Sequence, residues 1–158
     1  MTSSVLKKIE IRHLEIDDAR SVAHLIKQLS KNIVDPENLE ERIRQMSVST
    51  ALYGNHICFV AIADGKVVGF NEAVFYTIPS KGLVAQIEEF IVDMRYRSQG
   101  IGTELFRRLL RSLRDKKIGQ MRLTTSNPVA QHICKKFGFI LEDGEGLFVR
   151  NCHPKKSS

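Results

Sequence analysis

No stretch of the sequence holds about 18 consecutive apolar residues, so none is suited to cross a bilayer. The opening residues, Met1-Thr2-Ser3-Ser4-Val5-Leu6-Lys7-Lys8, lack the apolar centre of a signal peptide. Cysteine is scarce. Cys58, Cys134 and Cys152 make neither a disulfide framework nor a metal-ligand spacing, so no metal is expected and a reducing compartment, most simply the cytoplasm, is implied. Repeats and low-complexity segments are missing. Aromatic residues are only 7% of the chain and do not interleave with the basic ones, which disfavours a base-stacking surface for nucleic acid.

What is present fits one domain with a sizeable core: 158 residues, 42% of them apolar. The expected domain spans 1–152, and His153-Pro154-Lys155-Lys156-Ser157-Ser158 is expected to be a disordered tail. The formal net charge is +6. Much of the excess lies in Arg95, Arg97, Arg107, Arg108, Arg111, Arg114, Lys116 and Lys117, around one glycine turn and the helix after it. That distribution favours ligand phosphates plus a solvated helix face over nucleic acid.

Periodicity predicts a strand over 8–14, then a helix capped by Asp17 with Val22, Leu25, Ile26 and Leu29 inward. A second helix opens at Asp35-Pro36-Glu37 and runs to about Met46. Strands follow over 57–63 and 67–76, joined by Asp64-Gly65, and a third runs over 84–93 after the turn Ile78-Pro79-Ser80-Lys81-Gly82. Ile101, Leu105, Phe106, Leu109, Leu110 and Leu113 mark one face of a helix. Next come a strand over 121–125 and a helix capped by Asn127. That helix starts at Pro128, ends at Gly138, and carries Val129, Ala130, Ile133, Cys134 and Phe137 inward. Strands over 139–141 and 147–150 close the chain. The order, an antiparallel meander followed by β-α-β units, predicts a mixed-sheet α/β domain.

The segment Arg97-Ser98-Gln99-Gly100-Ile101-Gly102-Thr103 follows an apolar strand and opens a helix. Such a turn leaves backbone N–H groups unpartnered, and the helix dipole favours an anion there, so the segment predicts a pyrophosphate socket. Side chains at Gly100 or Gly102 would push the diphosphate off the amides, and the turn is expected to need a positive φ. The dinucleotide fingerprint G-x-G-x-x-G is absent, and several strands precede the glycines, which disfavours a Rossmann domain.

The Arg-x-x-Gly-x-Gly turn, with Asn127-Pro128-Val129-Ala130 and Phe137-Gly138-Phe139 downstream, resembles the GNAT superfamily of N-acetyltransferases over residues of roughly 8–150. The resemblance implies a splayed central sheet and acetyl-CoA as cosubstrate. Its pyrophosphate would lie on Arg97, Ser98, Gln99, Gly100, Ile101, Gly102 and Thr103. Its pantetheine arm would pair with the main chain of Phe90, Ile91 and Val92 and approach Asn127 and Ala130. It also allows a homodimer through the final strands.

Acetyl transfer to an amine needs a base for the amine proton, a donor for the developing oxyanion, and help for the leaving thiolate. Glu88 and Glu89 are the candidate bases. In a regular strand they face opposite sides, so one alone would reach the substrate unless a bulge turns both. By resemblance to polyamine acetyltransferases Glu88 comes first, and the N–H near Val92 is the oxyanion donor. Cys134 stands where many relatives have a tyrosine acid. Its place on an apolar face favours packing, with water or Tyr76 as the substitute. His132 is expected to point outward.

The resemblance implies an acceptor pocket between Leu29 to Met46 and the hairpin Tyr76 to Leu83, with Asp35, Glu37, Glu40 and Glu41 on the first of these segments. Tyr53, Phe75 and Tyr76 are candidates to touch an alkyl or aromatic amine. The leading expectation is transfer to a primary amine of a small molecule. The alternatives are a protein N-terminal or lysine acetyltransferase, and a catalytically weak CoA-binding module.

Overall fold

Strands that are apolar on both faces need cover on both sides, and the middle of this chain supplies them. In β2 (His56–Ala63), Phe59, Ala61 and Ala63 join one apolar cluster while Cys58 and Val60 join another. The computed structural model describes residues 8–125, 127–142 and 147–152, with residues 49–53 described by their backbone only. The expected tail and the side chain of Tyr53 lie outside the described residues.

Seven strands of the described residues form one sheet: β1 (Glu10–His13), β2, β3 (Lys66–Ile78), β4 (Gly82–Val92), β5 (Ile118–Thr124), β7 (Leu147–Asn151) and β6 (Ile140–Leu141), in that spatial order. All neighbours are antiparallel except β4 and β5. Two helices, α1 (Ala19–Leu29) and α2 (Leu39–Tyr53), cover one face. The other face carries α3 (Ile101–Leu113) and α4 (Pro128–Lys136). This is the mixed α/β sheet expected from the pattern. No described helix is long and apolar enough to cross a membrane.

Two local expectations are corrected. The second helix does not stop at Met46 but runs to Tyr53, where Gly54 turns left-handed at φ 66°. Ser47-Val48-Ser49-Thr50 are weak helix formers, and tertiary structure overrides that weakness. Asp17 is not the first helix cap. Ile16–Asp18 form a 3-10 turn instead, and the buried Asp18 carboxylate accepts two bonds from the Arg12 guanidinium, at 2.7 and 3.0 Å, and one from the Glu15 N–H at 2.8 Å.

Helix α3 lies close on the sheet at Gly69. A Cβ there would come within 2.7 Å of Leu105 Cδ1 and 3.4 Å of the Ile91 carbonyl. Phe106 adds the aromatic contact, with Phe90, Phe137 and Phe139 ring centroids 5.7, 5.2 and 5.5 Å away. The helix that opens at the glycine turn is thereby fixed against β4.

Candidate active site

Parallel pairing of β4 with β5 ends at Ile87↔Leu123, whereas pairing with β3 continues to Gly69↔Val92. Beyond Ile87 the two central strands diverge. In an antiparallel pair, alternate residues aim their N–H and C=O groups away from the partner. Along the last turn-ward residues of β4 those groups face a cleft instead of a strand. The Phe90 ring packs on Phe106 meanwhile, so its side chain serves the core while its main chain borders the cleft.

The turn after β4 is built by named contacts. Asp93 donates its N–H to Val68 O at 2.7 Å, and its carboxylate accepts from the Arg95 N–H at 2.9 Å and the Arg95 guanidinium at 3.1 Å. Arg97 Nε donates to Val92 O at 3.4 Å, which ties the loop back to the strand end. Ser98 and Gly100 adopt positive φ of 63° and 81°, which meets the expectation of a left-handed turn. A Cβ on Gly100 would meet no protein atom within 4 Å, so the conformation, not space, asks for glycine there. Among the described residues, the backbone N–H groups of 98–103 have no acceptor. They gather at the start of α3, where its dipole is positive.

The cleft has a volume of about 410 Å³ and is lined by every residue expected on the cofactor side except Gln99. Phe90, Ile91, Val92, Arg97, Ser98, Gly100, Ile101, Gly102, Thr103, Asn127 and Ala130 all border it. Asn127 caps α4 by accepting the Val129 N–H at 2.9 Å. One placement differs from expectation: Val129 is 67% exposed and forms a cleft wall, not part of the core. His132, expected to point outward, does so and also borders the cleft. Unpartnered amides, an unpaired strand edge and the apolar walls of Val129, Ala130 and Ile133 suit a ligand with a diphosphate head and a long amide-bearing arm.

A second cavity, of about 830 Å³, is lined by Glu88 and Glu89, the residues of β4 just before Phe90. Its geometry comes from a β-bulge: Asn71 pairs with Phe90 and Ala73 with Ile87, so two residues of β4 oppose one of β3. Ile87 and Phe90 both face the α3 cluster, and Ile91 faces the α1–α2 cluster. The intervening Glu88 and Glu89 therefore share the α1–α2 side. Glu72, the single residue opposite them, lies on that side too and lines the cavity at 7% exposure. Burial, then Glu89, then Glu88, pushes the Glu72 carboxyl up to about 7. Burial, then Glu88, also raises Glu89. Glu88 is exposed.

Glu72 escaped the sequence reading. Its signal was present: Asn71-Glu72 is a polar pair inside the apolar run Val67 to Val74. Asn71 spends its amide on a bond of 2.9 Å to the Leu105 carbonyl of α3, while Glu72 faces the other way.

Other residues fall outside the two spaces. Cys134 is fully buried in the aromatic core, and burial pushes its thiol up to about 12. Tyr76 pairs with Val84 near the far hairpin, and its hydroxyl is 3.5 Å from Gln86 Oε1. That hairpin does not border the carboxylate cavity, contrary to expectation, whereas the segment from Ile26 to Met46 does. Of its acids, Asp35 lines the cavity, but Glu40 and Glu41 pair with Arg44 on the surface. Among the described residues no cluster suits a metal ion.

Solved structures similar to this chain include acetyltransferases. PaiA N-acetyltransferase from Thermoplasma acidophilum, crystallised with coenzyme A, is 20% identical with a TM-score of 0.73, covering 92% of this chain and 99% of its own. Glucosamine-6-phosphate N-acetyltransferase from Arabidopsis thaliana is 20% identical with a TM-score of 0.70, covering 87% and 95%. The ribosomal-protein-S5-alanine acetyltransferase from Vibrio fischeri is 14% identical with a TM-score of 0.74, covering 90% and 92%. At these identities the likeness establishes the fold, and the named acceptors differ widely among them. The model of the acetyltransferase (GNAT) family matches residues 19–139. With the splayed β4, the amide-lined turn and that match together, the chain belongs to the GNAT acetyltransferase family.

Proposed function

We propose that this protein transfers the acetyl group of acetyl-CoA directly to a primary amine of a small molecule. The observation that carries this reading is the placement of two spaces on successive residues of one strand: Phe90–Val92 border an amide-rich cleft, and Glu88 and Glu89, just before them on β4, border a carboxylate cavity. Acetyl-CoA supplies an activated acyl group as a thioester. The open edge of β4 and the amides of 98–103 hold and aim it, and Arg97 keeps the loop in place.

The amine nitrogen must be neutral when it attacks. Glu89 takes its proton, because it is the half-buried member of the pair and its raised pKa brings it nearer the operating pH. Glu88, favoured by resemblance, stands exposed beside it at the cavity rim. As the C–N bond forms, the C–S bond breaks and the thiolate leaves to solvent. Cys134, buried with a thiol that holds its proton tightly, packs α4 and takes no part. The cavity's size and its walls from α1, the connecting segment and α2 favour a small acceptor over a protein.

A panel of small primary amines, read by release of CoA thiol, tests this. Turnover of at least one of them, lost in Glu89→Gln with CoA affinity kept, is the expected result. Binding of CoA without thiol release from any amine contradicts transfer, and turnover restricted to peptides shifts the acceptor to protein.

A further inference from the structure

We propose that the acceptor carries a second ammonium group, and that Glu72 receives it at the floor of the cavity: the substrate class is an aliphatic diamine or polyamine. The inference rests on the transfer reading above and deepens it.

Charge balance leads to it. Transfer requires one carboxylate, yet the bulge turns three onto one space. Glu72 is nine-tenths buried and aimed into that space, and it has neither hydrogen bond nor ion pair among the described residues. Arg42, the only cation on the lining among the described residues, is committed elsewhere. It donates to Val34 O at 2.7 Å and Asp35 O at 2.9 Å and lies 3.7 Å from the Asp35 carboxylate. A buried carboxylate without a partner is costly; in the free protein Glu72 meets that cost by holding its proton, and a ligand ammonium would meet it in the complex. A monoamine cannot provide it, because its nitrogen gives up a proton to react. A second ammonium can. Ile26, Phe70 and Met46 supply apolar wall for the methylene chain between the nitrogens.

The test compares 1,4-diaminobutane with n-pentylamine, which has the same number of heavy atoms and one charge fewer. Calorimetry on CoA-saturated protein at low salt reads affinity, and thiol release reads transfer. The diamine is expected to bind at least about tenfold tighter, the scale of one charge-assisted contact. Glu72→Gln is expected to remove most of that preference, chiefly through KM, with CoA affinity unchanged as the sign of an intact fold. Equal affinity for the two amines in the wild type overturns the proposal without recourse to any variant, as does a full preference surviving in Glu72→Gln. Diamine selectivity without thiol release supports the dication site and sinks the transfer reading. Equal turnover of both amines does the reverse.

Discussion

Replacing Glu72 by Gln should change stability in a pH-dependent way. In the unfolded chain this carboxyl titrates near its ordinary 4.5, and in the folded protein near 7. Between those values the folded state holds a proton that the unfolded state has released, so stability falls as pH rises through the window. At about 1.36 kcal/mol per pH unit the full interval corresponds to about 3 kcal/mol. Between pH 5 and pH 8 about 2 kcal/mol of it is expressed, since part is already lost at pH 5. Glutamine keeps the shape and removes the titration. Relative to wild type, Glu72→Gln should therefore gain about 2 kcal/mol between those pH values, or about 4–8 °C in Tm for a chain of this length. Urea unfolding of both proteins at pH 5 and pH 8, without ligand, measures the difference. A wild type–variant gap identical at the two pH values refutes the reasoning.

Other consequences follow from the same geometry. Glu89→Gln should lower kcat by about a hundredfold or more with little change in CoA affinity, as pre-steady-state and binding measurements would show. Cys134→Ala should keep turnover and cost about 1–2 kcal/mol of stability from the small void it leaves, read by denaturation. Gly69→Ala should destabilise by about 1–3 kcal/mol, because the added methyl meets Leu105 in a packed core and the Ile91 carbonyl behind it. Gly100→Ala should cost about 1–2 kcal/mol of strain at φ 81° and weaken CoA binding, read by calorimetry.

The two halves of the site were unequally legible in the sequence. The cofactor side is local: strand, turn and helix follow one another from Phe90 to Leu113, and the cap at Asn127 is a single residue reading its own helix. Local chemistry of that kind shows in a linear pattern. The acceptor side depends on register. Nothing in Ile87-Glu88-Glu89-Phe90 states that two residues will oppose one, so the sequence leaves open whether one or both reach the same side, and the pairing of Asn71 with Phe90 and Ala73 with Ile87 decides it. Glu72 entered the site only through that pairing. Val129 was misplaced for a related reason. The divergence of β4 from β5 opens a cleft along α4, so Val129, on its apolar stripe, borders ligand space instead of core. The aromatic packing around Phe106, by contrast, follows the predicted helix faces closely.

Whether the unpartnered amides at 98–103 and the free edge of β4 bind a CoA thioester is measured most directly by titrating the protein with CoA in a calorimeter. One molecule per chain, with a Kd in about the micromolar range, is the predicted result. No heat at millimolar CoA, from protein that still unfolds cooperatively, would contradict it.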